Sequence, residues 1–61
     1  MKPKCKLIGE DGNIFNLMAI TSKTLKEAKM KDKVDEMVER VMASGSYLEA
    51  LAIISEYVEI H

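Results

Sequence analysis

Cysteine occurs once in this sequence, at Cys5, so no disulfide can form within the chain. A lone thiol fits a reducing compartment better than an oxidising one. Histidine also occurs once, at His61, and there is no CxxC pair, so a tetrahedral zinc site would have to recruit carboxylates or a second chain. No metal and no cofactor are expected. Tryptophan is absent, and the aromatics are Phe15, Tyr47 and Tyr57 alone. Single-strand nucleic-acid recognition relies on aromatics interleaved with basic residues, and these three lie away from the lysine cluster. No apolar run approaches the ~20 residues of a membrane span. The opening MKPKCKLIGEDG carries charge where a signal peptide has its apolar stretch. A cytoplasmic protein that does not cross a membrane is the expectation.

What the sequence does contain is apolar surface. Sixty-one residues, 48% of them hydrophobic, allow one small domain spanning residues 1–61. A chain this short buries a smaller share of its surface than a larger one. With disulfides and metals set aside, helix packing and self-association are the remaining sources of stability.

Charge is nearly balanced overall but divided along the chain. Residues 1–33 hold eight lysines against Glu10, Asp11, Glu27 and Asp32, for +4; residues 34–61 hold Arg40 against six carboxylates, for −5. Such halves can attract each other within the fold. The alternative is a basic face, Lys23, Lys26, Lys29, Lys31 and Lys33, that meets nucleic acid or an acidic partner.

Lys4 to Ile8 alternates lysine with apolar residues, the period of a short strand with one wet face. Gly9 to Asn13 is turn chemistry. Ile14, Leu17, Met18, Thr21, Leu25 and Ala28 then fall at helical spacing, with Asp11 or Asn13 available as a cap, and predict a helix near 13–30. Asp11-Gly12 is also a hairpin signal that would make Ile14 to Ile20 a strand, but Asn16 would interrupt its apolar face. Val34, Met37, Val38, Val41 and Met42 form an amphipathic stripe in a second helix near 32–44, opened by Asp32 and ended by Gly45 in a left-handed conformation. Ser46-Tyr47-Leu48-Glu49 is a capping box, in which the Glu49 side chain returns to the Ser46 amide, and it starts a third helix near 46–56. Between Tyr47 and Ile54 that helix has one charged residue, Glu49, so its apolar surface covers most of the wheel. Ile53, on the side of Glu49 and Glu56, is expected to be exposed in a monomer. Tyr57 to His61 alternates again. It predicts a terminal strand whose Val58 and Ile60 share a face with Cys5 and Leu7, while Glu59 stands near Lys4 and Lys6. The fold class expected is therefore α+β, mostly helical, in the order β-α-α-α-β.

No catalytic constellation emerges. His61 ends the given sequence, a poor place for a positioned base. Cys5 on a strand reads as a small core residue rather than a reactive thiol. Gly9, Asp11 and Gly12 lack the third glycine or GK[ST] ending of a phosphate loop and the oxygen ligands of an EF-hand, so a turn and cap is the better reading. Met37 and Met42 read as core.

Gly9-Glu10-Asp11-Gly12-Asn13-Ile14-Phe15, Gly45-Ser46-Tyr47-Leu48-Glu49-Ala50-Leu51 and Glu56-Tyr57-Val58-Glu59-Ile60 together resemble a group of short uncharacterised proteins of bacteria, notably Firmicutes, and of phages and mobile elements. That group shares a GxDGNxF start, a central GxYxxxL and an aromatic, acidic tail. The resemblance covers almost the whole chain and carries over no catalytic residue. It implies a stand-alone small domain and a setting in which small proteins bind and block, or adapt, a host complex. The expectation is a homodimeric, non-catalytic protein-binding module with contacts at Tyr47, Ile53, Tyr57 and Ile60.

Overall fold

Short-range chemistry in the GEDGN segment turns the chain from its first strand into its first helix. Gly9 has φ +92°, a conformation that side chains rarely adopt. Asp11 Oδ1 accepts from the Asn13 amide at 3.0 Å, Asn13 Oδ1 accepts from the Phe15 amide at 2.9 Å, and Asn16 Nδ2 donates back to the Asp11 carbonyl at 2.8 Å. Asn13 is thus the N-cap, satisfying one of the free amides at the helix start. The computed structural model describes residues 1–61 as β1 (Lys4–Cys5), α1 (Ile14–Glu27), α2 (Lys31–Met42), α3 (Tyr47–Ser55) and β2 (Glu59–Ile60). The β-α-α-α-β order follows the sequence reading, and residues 14–20 are helix, not strand.

The helix boundaries differ in instructive ways. α1 stops at Glu27, and Lys29 takes φ +62°. The Lys29 amide donates to the Lys26 carbonyl at 3.1 Å and the Met30 amide to the Leu25 carbonyl at 2.8 Å. This is a Schellman closure with lysine in the position glycine usually takes. Asp32 does not cap α2: Met30 holds the N-cap position without a side-chain bond, and Asp32 lies in the first turn, where its charge suits the helix dipole. Gly45 is not left-handed, because α2 ends through Ala43 and an ordinary turn. Ser46 does cap α3, its hydroxyl accepting from the Glu49 amide at 3.1 Å, but Glu49 returns to the Gly45 amide at 2.6 Å instead of that of Ser46.

β1 and β2 pair in parallel, with Lys4 opposite Glu59 and Cys5 opposite Ile60. A parallel pair needs a long crossover, which the three helices supply. β1 and the three helices supply the fully buried centre, with Cys5 from β1, Thr21 and Leu25 from α1, Met37 from α2 and Ile54 from α3, joined by Val58 just before β2. Full burial of each large apolar side chain stabilises by roughly 1.5–3 kcal/mol. α1 also buries Leu17 and Met18 and packs on β1, where the Thr24 hydroxyl donates to Cys5 Sγ at 3.4 Å.

Two interface expectations fail at this level. Ile53 is 8% exposed and Tyr57 7% exposed, so neither is a free contact. The buried arc of α3 runs from Ile53 through Ala50 to Ile54, because α1 and α2 both pack against the helix. Its surplus apolar surface emerges at Tyr47 and Leu48 instead. Nor do the charged halves hold each other through ion pairs: Lys6–Glu10 at 3.5 Å lies within the basic half and Arg40–Glu56 at 2.8 Å within the acidic half.

Candidate functional site

The GEDGN loop, the start of α3 and the end of β2 meet around a groove of about 210 Å³. Leu7, Ile8, Leu17, Tyr47, Leu51 and Ile60 line it, with Gly12 at one edge. Its position follows from a side-chain clamp. The Tyr47 phenol donates to the Gly12 carbonyl, tying the first turn of α3 to the loop. A Cβ at position 12 would stand 3.3 Å from the phenolic oxygen, so glycine permits the close approach. The glycine-rich start and the central GxYxxxL segment are therefore joined physically, and their residues build one wall of the groove.

The surroundings of the groove are open and apolar. Leu48 is 76% exposed, Ile8 70% and Tyr47 47%, while Leu51 and Ile60 are half-buried. Phe15 is exposed as well, and so is Met42, which helical spacing had placed in the core with Met37 but which lies at the last turn of α2 beyond the buried Val41. In a chain of this size, neighbouring exposed side chains as large as Ile8, Tyr47 and Leu48 are more than the scattered single apolar residues that need no explanation. Of the four contacts expected from sequence, the structure brings Tyr47 and Ile60 together in this groove and sends Ile53 and Tyr57 to the interior. Leu48 and Ile8 were missed. The available signal for Leu48 was its place three residues before Leu51 and two after the Ser46 cap, on the flank opposite Ile53.

Tyr57 belongs to a polar network that fastens α2 to the end of α3. Arg40 donates to both Glu56 carboxylate oxygens, at 2.8 and 3.0 Å, and to the Tyr57 phenol oxygen at 3.1 Å; that phenol donates to Glu36 at 2.6 Å. The guanidinium also lies 5.7 Å from the centre of the Tyr57 ring, within cation–π range. Hydrogen bonding from Arg40 holds the Glu56 carboxyl below its usual range, and the bond to Glu56 raises the Arg40 guanidinium. Burial, followed by the bond to Glu36, pushes the Tyr57 phenol up. These four groups satisfy one another's hydrogen bonds.

Lys23, Lys26, Lys29, Lys31 and Lys33 are all exposed at the corner where α1 meets α2, and none forms an ion pair. Cys5 is buried and bonded by Thr24. No three histidine, cysteine or carboxylate side chains come together in a way that could hold a metal ion. No helix is long and apolar enough to cross a membrane. Comparison with known protein families, curated proteins and solved structures finds no match.

Proposed function

We propose that this protein is a non-catalytic protein-binding module, working as a homodimer, whose contact face is the apolar groove with Ile8, Tyr47, Leu48, Leu51 and Ile60. The observation that carries this reading is the exposure of Ile8 and Tyr47 in the lining of an apolar groove, with Leu48, the next residue of α3, exposed as well. Interface cores are built from aromatic and apolar anchors in such pockets. The motif resemblance supports a phage or mobile-element protein acting in the cytoplasm on a host complex, as an adaptor or as an inhibitor of host defence.

Wild-type protein and a Leu48→Asp variant used as baits on host lysate test this reading. Leu48 is exposed enough that the change should leave stability within about 0.5 kcal/mol. The expected result is a specific partner recovered by the wild type and lost by the variant; equal recovery by both, or none by either, contradicts the proposal.

A second reading, an accessory protein that binds nucleic acid through Lys23, Lys26, Lys29, Lys31 and Lys33, is favoured by the absence of any carboxylate partner on those five side chains. Phosphate contacts weaken steeply with salt. A gel shift abolished by moderate salt and by replacing these lysines with glutamine would support it.

A further inference from the structure

The terminal strand offers a route to the second copy. Neighbouring residues of a strand turn their backbone groups to opposite edges. The Glu59 amide donates to the Pro3 carbonyl at 2.8 Å, the His61 amide to the Cys5 carbonyl at 3.0 Å, and the His61 carbonyl accepts from Leu7 and Ile8 at 2.7 and 2.9 Å. Glu59 and His61 are thus committed to β1, and Ile60 between them turns its N–H and C=O to the outer edge. β2 has β1 as its one strand neighbour, and the Ile60 N–H and C=O on the other edge have no backbone partner.

We infer that two copies of this chain pair through β2, antiparallel about Ile60, forming a four-stranded sheet in the order β1-β2-β2-β1. The proposal rests on the apolar-face reading and names how that face meets its second copy. At the two-fold axis the Ile60 N–H of each copy donates to the Ile60 carbonyl of the other, a hydrogen-bonded pair with Cα atoms about 5.5 Å apart. The same register sets Glu59 opposite His61 of the partner subunit, two residues of complementary chemistry. Pairing through the β1 edges would instead stack Lys4 and Lys6 against their own kind. Joining β1 of one copy to β2 of the next is heterologous and does not close. Charge and closure therefore select the β2 edge.

Pairing on this axis also puts the helices of both copies on one side of the sheet. The two grooves, each lined by Ile60 and Leu7, then flank the axis on that side. A two-stranded sheet is marginal alone. The joined sheet has four strands, and Ile60 on the axis shares its groove with the exposed Ile8 and Tyr47.

Chemical synthesis gives the test, with Ile60 replaced by its α-hydroxy acid so that an ester oxygen stands in place of the N–H. That N–H has no partner inside the subunit, so circular dichroism and the melting curve of the monomeric state should not change. Sedimentation equilibrium should show a wild-type dimer, and the ester should raise its dissociation constant about tenfold through two lost hydrogen bonds. A wild type that stays monomeric at high micromolar concentration overturns the inference, as does growth beyond a dimer. A dimer insensitive to the ester but dissociated by Leu48→Asp overturns edge pairing while leaving the apolar-face reading in place. Conversely, an ester-sensitive dimer with no partner captured from lysate supports this inference and counts against the wider reading.

Discussion

Thr21 is the residue that departs most plainly from good packing chemistry. It lies fully buried in α1, and its hydroxyl has no hydrogen-bond partner. Ser44 and Ser55, by contrast, donate back to carbonyls three residues earlier, at 2.6 Å each. A buried hydroxyl left unsatisfied costs about 1–3 kcal/mol. Thr21→Val keeps the shape and removes the polar atom, so it should stabilise the fold by about 1 kcal/mol and raise the melting temperature by about 4–8 °C. Thermal and urea denaturation measure this, and a loss of stability would point to a role for the hydroxyl. Helical spacing identified Thr21 as a core position, but spacing carries no information on whether a hydroxyl finds a partner. The same limit applies to Arg40, Glu56, Tyr57 and Glu36. Their network is assembled by the angle between α2 and the end of α3, which no local pattern encodes.

At the scale of the element, the three helices were legible because each carries a strong local signal. Asn13 and Ser46 cap α1 and α3, and the stripe of Val34, Met37 and Val41 defines α2. The strands were legible from alternation alone, and the expected shared face of Cys5, Leu7, Val58 and Ile60 fits the observed register. Ends were less legible. α1 was expected to run to residue 30, since helical spacing continues as far as Ala28, yet the chain reverses through Lys29. A left-handed Cβ costs roughly 1–2 kcal/mol, offset in part by the backbone entropy glycine loses on folding. Lys29→Gly should therefore stabilise the protein by about 1 kcal/mol, seen as a higher denaturant midpoint with an unchanged slope. A destabilised variant would show that the α1–α2 corner is not strained. The wheel of α3 misled for a different reason. An almost wholly apolar helix does not reveal which flank its neighbours cover, and here they cover Ile53 and leave Leu48.

For the whole molecule, the excess of apolar surface over available cover was visible in the sequence, but its location was not. The structure buries Ala50, Ile53 and Ile54 of α3, leaves Tyr47 and Leu48 exposed, and sets Tyr47 with Ile8 and Ile60 at the groove. Tyr47 and Ile60, named from sequence, are the first residue of the capped α3 and an apolar residue of the terminal strand. Ile8 could not be named, since its exposure depends on the turn at Gly9. The most direct measurement is solvent paramagnetic relaxation of the Ile8, Leu48 and Ile60 methyl groups across a concentration series. The account predicts that the Ile8 and Ile60 methyls lose contact with a soluble paramagnetic probe as the copies associate and the Leu48 methyls when the captured partner is added, while exposed methyls elsewhere, such as that of Met42, do not. Equal accessibility of Ile8 and Leu48 at every concentration, with captured partner as well as without, would contradict it.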